Sequence, residues 1–588
     1  MQKLVLHICL LFFSFSVSAQ YYLRGEVRDE KNQPLQNVKI YSLTDRLLYS
    51  SGQSGGFGIS TNRLYDSLSF SLEGYEMKIV KVKTDLWQDI VLRVLPGNSN
   101  RNRPKLISVT KDLKQANQFN WFTGDETYFQ LVENEVVNAD KFPNTGFSLN
   151  VNKASYSNIR RFINTSSNVP PDAVRTEEFL NYFNLHYREP INNDVFRIES
   201  QVSDCPWNNK NHLLYININA KKLNLNMVPP GNFIFLIDNS GSMDMPNRLP
   251  LLKAAFQMLV KNLRPIDSVT IVTYGGSVNV WLQPTNGGNK EKILKAIEEI
   301  EAGGDTPGES AILTAYTIAE KTYIKGGNNR VILATDGDFN VGNFTEKALE
   351  ELITRQRQSG VFLTCLGVGM GNFKDSKLEI LAKRGNGNFA YLDDIQEAEK
   401  TLVKELTQTF YAVADDVFMN IRFNPAMVKE YRLIGFDNKK EALADSTWDL
   451  EGGEIGSGSS VMALFEILPT ERNLADIENR YTGDSIASLS MRYSMCEDTT
   501  HLFIEHQCPA NYLPSVLIDK DLQFAAALSM FSLKLKNSKY IKGVDWDQIE
   551  QFAIASADPD NFLQSGFLKI LAKAKKIYDT RKKKRRDY

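Results

Sequence analysis

The stretch FLIDNSGSMDMPNRLPLLKAAF, residues 235–256, sets the reading of the whole chain. An apolar run, Phe235-Leu236-Ile237, ends at a carboxylate, Asp238, and Ser240 and Ser242 follow at alternate positions. Leucine-rich helical spacing starts directly afterwards. A buried strand therefore passes into a helix through a turn bearing one carboxylate and two hydroxyls. Alternate spacing lets such a turn aim all three side chains at one point. In an open parallel sheet, ligands sit beyond the carboxyl ends of strands, where the strand order reverses.

From residue 230 to about 411 the pattern repeats. FIFLID, SVTIVTYG, RVILATDG, VFLTCLGVG and NFAYL read as short apolar strands. LLKAAFQMLVKNL, KEKILKAIEEI, ESAILTAYTIAEK, TEKALEELITRQRQ, DSKLEILAKRG and IQEAEKTLVKELTQTF read as amphipathic helices. This alternation predicts a mostly parallel, doubly wound α/β sheet with helices on both faces. VNVWLQPT, directly after SVTIVTYGG, adds one antiparallel edge strand. Two further loops leave strand ends with oxygen side chains: AGGDTPGES offers Thr306 beside Asp305, and ATDGDFNVG offers Asp336 beside Asp338. Two carboxylates and three hydroxyls, without histidine or cysteine, form a hard oxygen set. It suits magnesium or manganese, with calcium a further candidate; magnesium takes octahedral oxygens at about 2.1 Å. Glycines 241, 303, 304 and 337 permit close backbone approach. Helix and turn capping accounts for one such loop but not for three.

Asp238-x-Ser240-x-Ser242, then Thr306, then Asp336, resembles the von Willebrand factor type A domain with its metal-ion-dependent adhesion site. The resemblance implies direct coordination by Ser240, Ser242 and Thr306, with Asp238 and Asp336 holding coordinated waters. It also implies a protein partner whose acidic residue completes the metal shell. Asp305 stands where this group usually has serine. An extra carboxylate there either strengthens cation binding or takes the place meant for the partner's acid.

The flanks extend the resemblance to a bacterial group over roughly residues 120–580. Residues 146–229 match the group's N-terminal flanking region, residues 230–411 the A domain and residues 412–519 its β-rich C-terminal domain. Strands on both sides predict an α/β domain inserted in a β-sandwich, followed by C-terminal helices over 520–580. Residues 96–145, opening with PGNSNRNRP, read as a linker. Residues 20–95 alternate in strand fashion. Through Gly25, Val27, Asp29, Pro34, Leu35, Val38, Gly56, Phe57, Asp66, Leu68, Gly74 and Tyr75 they resemble the carboxypeptidase regulatory-like β-sandwich, a transthyretin-like module without protease chemistry. The multidomain chain is thus expected to start with its own β-sandwich module.

The chain has 588 residues and a net charge of −2, which gives no global pull towards nucleic acid. Residues 1–19 carry Lys3, a short apolar run and Ala19, the pattern of a cleavable secretory signal. Export to the periplasm, outer membrane or exterior is expected, with no later membrane-spanning segment. Cys365 sits in an apolar run and reads as a buried thiol, while Cys496 and Cys508 flank a hairpin that a disulfide would close. The basic run Arg581–Arg586, in a tail of residues 581–588, reads as solvated, with contact to an anionic envelope surface as its functional alternative.

Enzymatic motifs fail on context. HYRE (His186–Glu189) matches a zinc H-x-x-E pair, but the string is short and only His212, His501 and His506 remain as possible third ligands. HLFIEH (His501–His506) lacks the spacing of a helical zinc site and alternates as a strand does. GQSGG, around Ser54, lacks the helix that a nucleophile elbow requires. The expected function is metal-dependent protein recognition without catalysis; an envelope scaffold and, further off, a cryptic metallohydrolase are the alternatives.

Overall fold

The computed structural model describes residues 21–93, Glu126, Tyr128, and residues 131–149, 151–304, 308–337, 353–370, 375–436, 453–471, 485–495 and 500–586, apart from single or paired positions inside these ranges. Residues 1–19, expected from the sequence to be a secretory signal, lie outside the described residues. The chain divides into two compact units, Met1–Lys105 and Leu106–Tyr588.

The first unit holds β1 (Tyr21–Asp29), β2 (Lys39–Ser42), β3 (Leu48–Ser50), β4 (Gly56–Thr61), β5 (Tyr65–Ser71), β6 (Lys78–Lys83) and β7 (Trp87–Leu92). They form two sheets, β4-β1-β7 and β3-β2-β5-β6. Leu23, Val27 and Ile59 from one sheet and Ile40, Leu68 and Phe70 from the other share a single apolar core. Gly25 is fixed by the β1–β7 approach: a Cβ there would lie 2.3 Å from the Gln88 carbonyl oxygen.

In the second unit, β8 (Val137–Asn138), β9 (Asn144–Ser148), α1 (Ala154–Asn164), α2 (Thr176–Asn181), β10 (Phe196–Asp204) and β11 (His212–Ala220) precede the α/β segment. β12 (Gly231–Asp238), α3 (Leu249–Asn262), β13 (Ser268–Gly275), β14 (Ser277–Asn286), α4 (Lys290–Glu298) and α5 (Gly308–Lys321) begin that segment. It continues with β15 (Asn328–Thr335), β16 (Val361–Gly367), α6 (Asp375–Arg384), β17 (Phe389–Tyr391), α7 (Ile395–Glu399) and α8 (Leu406–Phe410). The six-stranded sheet runs β14-β13-β12-β15-β16-β17. All its pairings are parallel except β13–β14, the expected edge hairpin.

Alternation along β12 explains the two helix layers. Phe233, Phe235 and Ile237 pack with α3 and α4, and the Phe235 and Phe256 rings stack 4.5 Å apart. Ile234 and Leu236 enter the opposite core with Ala311, Ile312 and Tyr316 of α5 and Leu378 of α6. Cys365 is fully buried there as a free thiol. The helix expected over 395–410 is instead broken by a π turn, Lys400–Lys404. Within it Lys400 lies 3.9 Å from the Tyr182 ring centroid and 3.0 Å from Glu405. A buried charge network thus overrides the simple helical period.

Beyond α8 come β18 (Ala412–Phe423), β19 (Val428–Ile434), β20 (Gly453–Gly456), β21 (Ser460–Pro469), β22 (Ser485–Ser494) and β23 (His501–Pro509). One sheet runs β10-β11-β21-β19-β8; the other runs β20-β18-β22-β23, with β9 also on β18. The segment read as a linker to residue 145 therefore supplies β8 and the start of β9 to these sheets. It is short in apolar period but pairs with strands far along the chain. Ile216 and Ile218 of β11 face Met419 and Ile421 of β18 in one core. The alternate residues Asn217 and Asn219 are buried rather than solvated, and Asn217 donates to the His186 carbonyl at 2.8 Å. The flank covers that face, which local alternation alone would leave wet.

α9 (Lys520–Leu535), α10 (Trp546–Ser556) and α11 (Phe562–Arg586) complete the chain. Phe524, Phe531, Trp546 and Phe567 join Ile159 of α1 and Phe179 of α2 in one core. The basic run that reads as a solvated tail continues the backbone of α11 to Arg586. Among the described residues no helix is long and apolar enough to cross a membrane.

Cys508, on β23, is a free buried thiol, and Cys496 lies outside the described residues. The hairpin register pairs Ser494 with His501 and Ala487 with Cys508, so Cys508 is at the end remote from the turn. At about 3.4 Å per residue, its distance from that turn far exceeds the roughly 7 Å Cα span that a disulfide allows. The register of the described strands argues against the expected bridge, whose Cys496 end lies outside the described residues.

Candidate functional site

β12 is the point where strand order reverses, with β13 on one side and β15 on the other. Its last residue is Asp238, and Asp336 follows the last residue of β15. Both carboxylates are fully buried. Asp238 Oδ1 accepts from the Ser240 backbone N–H at 2.9 Å and from Ser240 Oγ at 2.7 Å. Its other oxygen accepts from Thr335 Oγ1 at 2.9 Å. Ser240 Oγ and Ser242 Oγ are 3.2 Å apart, and Ser242 Oγ donates to Asp336 Oδ2 at 2.9 Å. One continuous line of oxygens thus joins Asp238, Ser240, Ser242 and Asp336. Burial pushes the Asp238 carboxyl up to about 6; the Ser240 and Thr335 hydrogen bonds oppose this, and the nearby Asp336 adds to it.

Backbone contacts draw the second loop towards the first. Gly303 N–H donates to the Asn239 carbonyl at 2.8 Å, and Gly241 N–H to the Gly304 carbonyl at 3.0 Å. At Gly304, with φ +79°, a Cβ would lie 2.5 Å from the Gly276 nitrogen. The loop is therefore docked up to the residue before Asp305. Asp305, Thr306 and Asp338 lie outside the described residues.

The donor set suits a hard cation. Each hydroxyl points its hydrogen at a carboxylate, leaving oxygen lone pairs for an ion. The 3.2 Å between Ser240 Oγ and Ser242 Oγ is close to the roughly 3.0 Å between adjacent ligands of an octahedron with bonds of about 2.1 Å. Among the described residues there is no group of three or more His, Cys, Asp or Glu side chains able to hold a metal. Any ion at this place relies on the hydroxyls.

Arg248, just before α3, is the residue that sequence reasoning missed. Its side chain is nearly buried, with Nη1 2.7 Å from Asp336 Oδ2. The same nitrogen donates to the Ser242 carbonyl at 2.6 Å, and Nη2 donates to the Met370 carbonyl at 3.1 Å. In NRLP the residue reads as a polar helix start, and no spacing rule ties it to a carboxylate after β15. Thr335, which orients Asp238, was legible only as the residue before Asp336.

Comparison with known proteins agrees with this architecture. Residues 123–215 match a family described as von Willebrand factor, residues 232–405 the von Willebrand factor type A domain, and residues 408–577 the C-terminal part of the uncharacterized protein YfbK. The chain is 35% identical over 480 residues to uncharacterized protein YfbK of Escherichia coli K12, covering 78% of this chain and 82% of that protein. It is 26% identical over 203 residues to inter-alpha-trypsin inhibitor heavy chain H2 of Mus musculus, covering 33% of this chain and 21% of that one. A von Willebrand factor type A structure from Catenulispora acidiphila aligns at 14% identity and a TM-score of 0.37, over 63% of this chain and 88% of that chain. With a relative 35% identical over 78% of this chain and 82% of its own, and the type A segment matched on the α/β sheet itself, the chain belongs to the YfbK family of bacterial von Willebrand factor type A proteins.

Proposed function

We propose that this is an exported cell-envelope protein whose type A domain binds a protein partner through a divalent metal. The line of oxygens from buried Asp238 through Ser240 and half-buried Ser242 to buried Asp336, at the strand-order reversal, carries this reading. Ser240, Ser242 and Thr306 would hold magnesium, or manganese, directly, with Asp238 and Asp336 acting through waters. The bound ion would supply an electrophilic centre for an acidic side chain of the partner. Recognition of this kind is reversible, because neither surface completes the metal shell alone. The reading is of binding without catalysis. The pairing of β11 with β21 supports the type A segment as an insertion in a β-sandwich. The first unit, with its two sheets on one core, suits a carboxypeptidase regulatory-like spacer.

Calorimetric titration of magnesium, manganese and calcium into residues 20–588, and into Asp336→Ala, tests the site. Saturable binding by the unmutated chain alone supports it, and equal heats from both proteins refute it. A chelator-sensitive pull-down then tests the partner. Should assembly rather than capture be the role, magnesium would change the size-exclusion volume of the protein by itself.

A further inference from the structure

The proposed metal site already contains a cation, and that cation belongs to the chain. Arg248 places Nη1 2.7 Å from Asp336 Oδ2, the same oxygen to which Ser242 donates. The guanidinium is held by more than this contact. It spans the Ser242 carbonyl in the first loop and the Met370 carbonyl beyond β16. At Gly369, with φ +79°, a Cβ would lie 2.6 Å from Arg248 Nε, so the backbone closes on the arginine where only glycine fits. Met245 and Met370 flank it as exposed apolar residues, 53% and 44% accessible. A surface arginine paired by chance would not have a fixed socket made by two loops.

We propose that Arg248 is the built-in counter-cation of the site and sets its metal affinity. The inference rests on the metal-binding reading above. Without a divalent ion, Asp336 would be a buried carboxylate of high electrostatic cost, and the guanidinium offsets that cost. With a divalent ion, two cations address the same carboxylate in a poorly screened place, so the arginine weakens the ion. With an ion bound, Asp336 would share its charge between that ion and the guanidinium, and Arg248 would be held less firmly. Because Nη2 holds the Met370 carbonyl, that loosening also reaches the segment beyond β16. The site is thus tuned for exchangeable rather than permanent metal, as reversible recognition requires.

The test uses the full mature chain, with magnesium and manganese as probes in calorimetry and thermal unfolding. Arg248→Gln should bind magnesium at least tenfold more tightly than the unmutated chain. In chelator it should melt earlier, and saturating magnesium should raise its midpoint more than that of the unmutated chain. Arg248→Lys retains charge but cannot span both carbonyls; its magnesium affinity should stay within about threefold of the unmutated value. Unchanged or weaker binding by Arg248→Gln, with the unmutated chain still binding, overturns the role of Arg248 and leaves the metal reading intact. Binding by neither protein overturns the metal reading itself. If Arg248→Gln does not fold, a tenfold tightening in Arg248→Lys overturns the charge argument on its own.

Discussion

Replacing Arg175 by methionine should destabilise the junction between the flank and the type A domain. Arg175 is 1% exposed and precedes α2. It reaches Asp375 on α6 through two contacts, at 2.6 and 3.3 Å, and Glu178 at 2.7 Å, with Glu379 3.7 Å away. One guanidinium therefore serves three carboxylates. Burial raises the Glu178 carboxyl to about 8 in spite of Arg175, so removing the arginine takes the pulling cation from a group that then keeps the Ser155 N–H at 3.1 Å. Breaking a buried pair from one side costs about 3–5 kcal/mol, because the other charge stays buried. At about 2.1 cal/mol/K of unfolding entropy per residue, each kcal/mol lowers the midpoint of this unit, Leu106–Tyr588, by about 1 °C, so Arg175→Met should melt about 3–5 °C earlier. Asp375→Asn added to Arg175→Met should recover part of that loss, since it removes the stranded charge. Differential scanning calorimetry of all three proteins is the assay. A loss below about 1 kcal/mol, or no recovery by Asp375→Asn, would refute the reasoning.

Two further outcomes follow from buried groups. Burial raises the Glu454 carboxyl on β20 to about 7 from its ordinary 4.5, although Arg330 of β15 lies 3.6 Å away. The folded state then binds the proton more tightly than the unfolded one, so this group's stabilisation is lost as pH rises from about 4.5 to 7. The loss is about 3 kcal/mol at most, and Glu454→Gln should flatten the stability profile across that window; parallel profiles for the two proteins would contradict this. Cys508, a free buried thiol, should resist alkylation in the folded chain and react after denaturation without reductant. A non-reducing peptide map containing a Cys496–Cys508 link would overturn the register argument.

The type A sheet was legible because its signal is local. Each strand is a short apolar run ending in a ligand-bearing turn, and the alternation of Phe235 and Leu236 between two cores is the ordinary pleat of a strand covered on both faces. Asp238, Ser240, Ser242 and Asp336 met as their spacing implied. What local pattern could not supply was pairing over long distances. Arg248 contacts Asp336, Arg175 contacts Asp375, and neither pair shares a periodicity. The π turn at Lys400–Lys404 had the same cause, since Lys153 from the flank joins Glu405 at 3.0 Å. β8 and β9 were missed because strands of this length acquire identity only from the partner that pairs with them.

These long-range contacts bear on how the α/β segment is held. Arg160 of α1 pairs with Asp393 just after β17 and with Glu397 on α7, the latter at 2.8 Å. Tyr182 also donates to Glu397, at 2.5 Å, and burial pushes the Asp393 carboxyl up to about 6 against the pull of Arg160. Arg175, Arg160 and Lys153 therefore come from the flank, while Asp375, Asp393, Glu397 and Glu405 come from the last part of the α/β segment. A cut at residue 230 would remove the arginine partners of Asp375, Asp393 and Glu397, while Glu405 would keep Lys400 at 3.0 Å. Mutual repulsion and the loss of the packed flank would then favour local unfolding of α6 and α7. The charge balance of the α/β segment is thus shared with the flank, and belongs to the whole second unit rather than to that segment by itself.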